Sequence, residues 1–547
     1  MDVRMPPVQP LVIGVTSHRN LVPRESGEIR RGVREFLERL HGEFPQLPLT
    51  VVSALAAGGD QLVAEEALAL GARLIAPLPL PRAVYVRDFA DPRDRERFET
   101  LCRDAVVLEP ASVDDDVLDG AANDVRTRDW HYAQTGVYIA SHCHLLLALW
   151  DGKASSLPGG TAQVVGYYLS GRPPALVERR RAMCRQDQLD DNNERLAYHI
   201  VCSRDEAGGT PEPPLAPLQT LWRIGEERSD GTQPMPAEGR AMFRRIEGFD
   251  LDCAKYATRI EAAAPDVSRG PADTANETRR SPIERSFAAA DWLALHYQLR
   301  VQFAMRAMYT LAALMGIAFV FYDELSQAYM IFVFLFLFVL GFSLDQVAAR
   351  RDWHRKYLDY RALAEGLRVQ AYWRRAGLSM TGDAEFAHDN FLQKQDVDLG
   401  WIRNVMRSAG LGAAASKAAQ RVELAGVIAE WVGESAKAGQ LYYYERRLAE
   451  RTRHHSLTRR IGALSLYTSI GISVFLALFV FDLDHDVRNV LVSIMAALSI
   501  IAAVREAYAY RKADKELIKQ YRFMRRIFAN ARAALDRTHD AAAQREI

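Results

Sequence analysis

The chain has 547 residues, enough for about three or four domains at roughly 100–200 residues each. Lys plus Arg and Asp plus Glu both number 69, so the formal net charge is zero, which does not suggest bulk polyanion binding, and no direct nucleic-acid binding is expected. The five cysteines, Cys102, Cys143, Cys184, Cys202 and Cys253, form no CxxC, which reads as a reducing compartment without disulfides or a zinc site; the start, MDVRMPPVQP, has no apolar run of the secretory-signal kind.

The first predicted strand, Pro10–Val15, leads into TSHRN, and Ile29, Val33, Phe36 and Leu40 then fall on one helical face. A second strand at Thr50–Val52 ends in SALAAGGD, and a helix follows with Leu62, Val63, Ala67 and Leu70. A third, Ala72–Pro77, leads to LPLPRAVYVRDF; a fourth is read at Asp104–Leu108. The fifth, His144–Trp150, ends in Trp150-Asp151-Gly152, crosses a short polar loop and restarts on Gly159-Gly160-Thr161. Tyr198–Cys202 reads as a late strand. Strands alternating with amphipathic helices predict an α/β Rossmann-like doubly wound sheet. Ligands in such sheets sit at the carboxyl ends of the strands, where all four polar loops fall.

The chemistry of those loops suits phosphate. Gly14, Gly58, Gly59, Gly159 and Gly160 let backbone approach a phosphate or simply make tight turns. Thr16, Ser17, Ser53 and Thr161 offer hydroxyls to phosphate, or cap helices. Arg19 can pair with phosphate, and His18 can stack on a base or bond a ribose; both also read as ordinary loop residues. Asp60 and Asp151 can take ribose hydroxyls or cap helices, and Trp150 reads as core first and a stacking surface second. His131, His142 and His144 lie close in sequence, but a pair at i, i+2 on a strand without a carboxylate motif is poor metal spacing, so no metal site is expected.

Glu178–Glu206 is highly charged. Gly208–Pro217 and Pro265–Pro282 read as loops or linkers, and Ala237–Ala264 as a helical segment covering the sheet. Membrane-grade sequence follows. MYTLAALMGIAFVFY, an acidic turn Asp323–Gln327 and AYMIFVFLFLFVLGFSL make one hairpin, with spans near 303–322 and 328–345. Ile461–Phe481, the turn DLDHDVR and Asn489–Val504 make a second, with spans near 461–481 and 488–504. Gly377–Gln420, between the hairpins, reads as helical with loops. Both turns are acidic, and the outer flanks are basic: Arg306, Arg350, Arg351, Arg355, Lys356, Arg451, Arg453, Arg459, Arg460, Arg505, Arg511, Lys512 and Lys515. The positive-inside rule then places the large domains in the cytoplasm of a multi-pass inner-membrane protein.

Each hairpin is followed by a helix with one sticky stripe: Trp353, Tyr357, Tyr360, Ala364, Leu367 and Ala371 after the first, and Tyr510, Ala513, Leu517, Tyr521, Met524, Phe528, Ala531 and Leu535 after the second. The stripes are expected either to pack on each other within one chain or to join chains into a homo-oligomer. The region is therefore all-α, with four transmembrane helices in two hairpins and cytoplasmic helical stalks.

GVTSHR, SALAAGGDQLVAEEALALGA, LPLPRAVYVRDF and LLALWDG…PGGTAQVV together resemble the SLOG superfamily, the Rossmann-like nucleotide-binding fold shared with DprA and LOG proteins. The likeness covers about residues 8–205. The hairpin-plus-helix units, with YLDYRALAEGLRVQAYW after the first, resemble SLATT domains, two-helix membrane modules proposed as pore-forming effectors in anti-phage systems. Domains follow as 1–205 (SLOG-like), 206–290 (extension and linker), 291–400 and 401–547 (two SLATT-like units). LOG-type hydrolases carry PGGxGT and then a catalytic glutamate pair, whereas here Thr161 is followed by Ala162-Gln163-Val164-Val165. No catalytic residue is therefore assigned. The resemblance implies a membrane effector gated by a nucleotide second messenger, an ADP-ribose derivative or a cyclic nucleotide, with the lipid bilayer as its other partner. The alternative is a membrane-tethered nucleotide or nucleoside hydrolase.

Overall fold

The computed structural model describes residues 9–109, 125–155, 157–171, 195–263, 281–378, 399–414, 424–434, 437–479, 481, 483–511 and 514–547. The strands are β1 (Leu11–Ser17), β2 (Leu49–Val52), β3 (Arg73–Pro77), β4 (Val106–Leu108), β5 (Leu145–Trp150), β6 (Leu196–Val201), β7 (Thr220–Ile224) and β8 (Glu227–Asp230). They form one eight-stranded sheet in the order β4-β3-β2-β1-β5-β6-β7-β8. The pairs from β4 to β6 are parallel. β1, β2, β5 and β6 are apolar at most positions and buried at nearly all, the pattern of parallel strands covered on both faces. The chain turns back from the β4 edge to lay β5 beside β1 in register Thr16 to Ala148 and Ser17 to Leu149, so the switch point of the sheet lies between β1 and β5.

The sheet continues past residue 205. β7 and β8 add an antiparallel hairpin to β6. The loop read at Gly208–Pro217 lies between β6 and β7, as expected; the sequence reading named no strand beyond Tyr198–Cys202, and β8, Glu-Arg-Ser-Asp, exposed at all four positions, carries no apolar signal.

Helices α1 (Pro23–Glu43), α2 (Gly59–Ala69), α3 (Pro92–Asp104), α4 (Val125–His142) and α5 (Thr161–Ser170) connect the parallel strands. Ile29, Val33, Phe36 and Leu40 are all buried on α1, as their spacing predicts. α4 escaped the pattern because its buried face includes Ala133, Gly136, Val137 and Ala140, small residues that give little amphipathic contrast. It also corrects the histidine reading: His142 ends α4 rather than lying on a strand, with Nδ1 2.9 Å from the Tyr138 carbonyl, and His144 immediately precedes β5.

α6 (Ala237–Lys255) and α7 (Ala257–Ala263) follow the sheet and bear out the helical reading of that segment. Most of residues 178–206 and 265–281 lie outside the described residues, as does Cys184. The other four cysteines are free thiols and buried.

By its contacts the chain divides into two units. The α/β unit spans residues 1–293 and also takes in 361–374 and 378–420. Those two segments come from the helices that follow the first hairpin: α10 (Trp353–Arg375) and α11 (Gly400–Ala414). Of the interval 377–420, residues 379–398 and 415–420 lie outside the described residues.

The second unit holds the long helices α8 (Pro282–Glu324) from residue 294 onward, α9 (Met330–Arg350), α12 (Gly439–Phe479) and α13 (His485–Arg511), and the amphipathic α14 (Asp514–Arg537). Four stretches, beginning in α8, α9, α12 and α13, are long and apolar enough to cross a membrane, so the four predicted spans all fall on helices. α12 and α13 are tied by Ser469, whose hydroxyl donates to the Met495 carbonyl at 3.0 Å and lies 2.7 Å from the Ser499 hydroxyl. α8 meets α13 where Gly316 faces Ile500, and the Tyr309 hydroxyl reaches the Ala507 carbonyl.

Among the described residues, each stripe has a ring partner on another helix of its own unit. Tyr360 lies against Tyr297 of α8, with ring centroids 5.7 Å apart, and the Arg300 guanidinium lies over Trp353. On α14, Tyr521 and Phe528 meet Tyr444 of α12 at 5.8 and 5.7 Å. Tyr510 is 88% exposed and outside that packing, and Ala513 is outside the described residues.

Candidate functional site

The loops after β1, β2, β3 and β5 come together at the carboxyl edge of the sheet. The β1 and β2 loops are fastened first. Asp60, in the opening turn of α2, is buried and accepts from the Ser17 hydroxyl at 2.6 Å, with further hydrogen bonds from Ser53 and the Ala56 N–H. Burial pushes its pKa from the ordinary 3.8 up to about 6, against the pull of those donors and of Arg19. The Ser53 hydroxyl also accepts from the Leu55 N–H. The Gly59 N–H donates to the His18 carbonyl at 3.2 Å. Gly58 has φ +82°, and a Cβ there would sit 2.1 Å from the Arg19 carbonyl oxygen. At Gly59 it would meet Ser17 Cβ at 2.6 Å and Leu149 at 2.9 Å. These two glycines let one loop lie on another.

The β1 and β5 loops are fastened by His18 and Asp151. His18 Nε2 is 3.1 Å from both the backbone N–H and Oδ1 of Asp151, and the ring engages one or the other according to tautomer. Asp151 also accepts from Arg204 Nε at 2.9 Å and from the Lys153 N–H at 3.1 Å. Burial raises the Asp151 pKa, but the donors His18, Lys153 and Arg204 outweigh it and hold the carboxyl below its ordinary value. Burial lowers the His18 pKa more than Asp151 raises it, so the imidazole is neutral at pH 7.

Beyond this frame lies a wall that the sequence reading did not single out. The Tyr132 hydroxyl donates to Asp88, and Arg128 grips both Asp88 oxygens at 2.6 and 2.7 Å. The exposed Arg19 lays its guanidinium over the Tyr132 ring, 5.5 Å from the centroid. Tyr85, under the Tyr132 ring at 6.2 Å, backs the wall with Phe89 and Phe98. Asp88 sits in the quoted LPLPRAVYVRDF run, so its signal was present; Arg128 and Tyr132 sit on α4, whose small-residue face hid the helix.

The Pro158-Gly159-Gly160-Thr161 turn closes onto the same wall. Gly159 has φ +67°, and a Cβ there would lie 2.6 Å from the Tyr132 backbone carbon. Its N–H donates to Gln163 Oε1 at 2.7 Å, and the Gly160 N–H donates to the Leu157 carbonyl. Gly160 caps α5 with its backbone, and Thr161, buried, is the first helical residue. The next N–H groups of that turn have no intrahelical acceptor and face outward along the helix axis, the arrangement that attracts an anion.

Two expected residues are not part of this assembly. Gly14 lies in mid-β1, where a Cβ would overlap Cys143 Sγ at 2.8 Å; the glycine makes room for α4 and its exit. Trp150 is buried in the core. Its indole N–H donates to the Lys153 carbonyl, Arg223 covers its ring at 5.3 Å and His199 lies 5.3 Å away on the neighbouring strand. The ring is committed to packing. Thr16, the residue before the last of β1, is buried.

Chemically, the edge offers the Arg19 guanidinium, an aromatic ring (Tyr132) and a helix N-terminus, the set that holds a phosphate beside a base or ribose, with Arg128 beside them paired to Asp88. Asp60, Asp88 and Asp151 are each already held by protein donors. Among the described residues, no group of His, Cys, Asp and Glu has the spacing of a metal site. Comparison with family models, curated proteins and solved structures yields no match. The class is thus defined by fold alone: a Rossmann-like parallel-sheet unit in one chain with four helices of membrane-spanning length.

Proposed function

We propose that the chain is a nucleotide-responsive membrane effector. Its α/β unit, SLOG-like by the motifs quoted above, binds an ADP-ribose derivative or a cyclic nucleotide, and binding shifts the SLATT-like hairpins of a homo-oligomer from closed to open. Loss of the inner-membrane barrier then stops the cell and any infecting phage. The observation that carries this reading is the union, in one chain, of four membrane-length helices with a strand edge bearing Arg19, Arg128, Tyr132 and the start of α5. The basic flanks support a cytoplasmic α/β unit. The spans are mostly apolar and the Ser469 and Ser499 hydroxyls satisfy each other, which favours a conducting path between chains over one within a chain.

Hydrolysis, the alternative, wants a carboxylate poised on the ligand. Gln163 stands where LOG-type enzymes carry acid residues, and it is spent on the Gly159 N–H. That favours binding without turnover.

The test uses purified full-length protein in dye-loaded liposomes with ADP-ribose, NAD and 3′,5′-cyclic AMP. Binding by calorimetry, dye release and no product by chromatography are expected from at least one. Turnover would install the hydrolase reading. The discriminating variant is Gly160→Trp, since Gly160 has an ordinary φ of −72° and a Cβ there would come nearest to the Leu157 carbonyl, at 3.1 Å, a tight contact that asks a small shift of the turn. Affinity should fall at least about tenfold with the melting temperature kept. Unchanged affinity would move the site away from α5.

A further inference from the structure

α11 is buried at every position from Trp401 to Ala409, although it carries Arg403, Asn404, Arg407 and Ser408. It comes from the interval between the two hairpins, yet it lies at the amino edge of the sheet. Its polar groups are used there. His144, the residue before β5, accepts the Val12 N–H on Nδ1 at 3.3 Å and donates from Nε2 to the Asn404 carbonyl at 2.8 Å. Gln9, just ahead of β1, accepts from the Ser408 hydroxyl at 2.9 Å. The same Gln9 donates from its side chain to Ser286 of α8 at 3.1 Å and from its backbone to Asp250 of α6 at 2.8 Å. On its other side α11 offers the Met406 carbonyl to Gln370 of α10 at 3.2 Å, and Gly410 lies so close that a Cβ would meet the Gln370 amide at 2.8 Å.

β1 and β5 therefore hold the strand-end loops at one end and α11 at the other. Paired strands of this length, hydrogen-bonded along about 20 Å, move as a rigid element. α8 continues unbroken to Glu324, and α10 begins at Trp353, three residues after α9 ends.

We infer that α11 is the transmission element of the molecule: a change in the β1 and β5 loops reaches the helices leading to the membrane spans through the His144–Asn404 and Gln9–Ser408 bonds and the Gln370 contact. The inference rests on the reading of the strand edge as a ligand site. Its test replaces the ligand by a substitution, so that its failure and the failure of that reading are separable.

Gly59→Ala places a methyl against Ser17 and Leu149, at the ends of β1 and β5. Hydrogen exchange is followed in the full-length protein in nanodiscs, in wild type, Gly59→Ala, His144→Phe and the double variant. Gly59→Ala should change exchange at least about fivefold over residues 401–409 and 361–374, with β8, at the far edge of the sheet, unaffected. In the His144→Phe background that increment over 361–374 should shrink at least about twofold, the signature of a coupling carried in part by that link, with the Gln9–Ser408 bond left as the other. If His144→Phe does not fold, Ser408→Ala serves as the cut. Equal increments in both backgrounds, or none over 361–374 in wild type, overturn the inference, whatever nucleotide binding shows.

Discussion

Asp60 shows how one residue organises the site by packing rather than by touching a ligand. Its carboxylate draws Ser17, Ser53 and the Ala56 N–H into one knot, and burial raises its pKa from 3.8 to about 6. Between those two values the folded chain binds more protons at Asp60 than the unfolded chain does. Its contribution to stability therefore falls as pH rises across that window and is flat outside it. The size is of order 3 kcal/mol. Asp60→Asn keeps an acceptor for Ser17 and removes the titration. Unfolding followed by tryptophan fluorescence from pH 4 to pH 7 should show the Asn variant gaining on wild type by about that amount at the upper end. A difference that stays constant with pH would rule out the raised value. His18 works with the opposite sign. Its lowered pKa makes its contribution full above pH 6.5 and lost as pH falls, and it cancels in the comparison because both proteins carry it.

At the scale of elements, the sequence was most legible where apolar runs were longest. The five early strands and the four spans were placed within a few residues, because a buried parallel strand and a membrane helix each require an unbroken apolar stretch. β8 and α4 were not, since one is an exposed edge strand and the other buries small residues. The site divided likewise. The loops that hold Ser17, His18, Asp60, Asp151 and Gly159 could be named from turn chemistry. Tyr132 and Arg128 could not, because nothing in their local sequence says that α4 passes the strand ends. The stripe on α14 was legible as a sticky face but not by its partner, α12. That partner carries a prediction. Phe528 stacks on Tyr444 at 5.7 Å and a 22° angle, so Phe528→Glu sets a charge against a ring. The docking of α14 on α12 should weaken by about 2–4 kcal/mol. Limited proteolysis should then cut near Arg522 and Arg525 much faster than in wild type. Phe523→Glu is the control, since Phe523 is 61% exposed, and it should change little. Equal cleavage of both variants would deny the packing.

The whole molecule has to satisfy a charge constraint that no single element reveals. In the proposed topology the four stretches of membrane-spanning length make two hairpins, so the chain would leave the bilayer on the side where it entered, with the α/β unit and α14 assigned to that side. The basic residues flank the ends assigned to it: Arg350 at the end of α9 and Arg351 after it, Arg459 and Arg460 before the third span, and Arg511 after the fourth. The acidic turns, Asp323-Glu324 and Asp484 to Asp486, are assigned to the other. Moving a span's basic flank across the bilayer is opposed during insertion, whereas acidic turns contribute little to orientation. Cysteines at Ser326 and Asp484 should therefore react with a membrane-impermeant maleimide in intact spheroplasts, and one at Arg511 should react only after lysis. The native thiols give a low background. Burial raises Cys102 to about 11 and Cys143 to about 12, and pushes Cys202 and Cys253 up as well, so little thiolate is present at pH 7. Cys184 is changed to Ser for the experiment. Labelling of Arg511→Cys in intact spheroplasts with protection at both turns would invert the orientation and put the α/β unit out of reach of a cytoplasmic nucleotide. Protection at one turn alone would break that hairpin and leave an odd number of crossings.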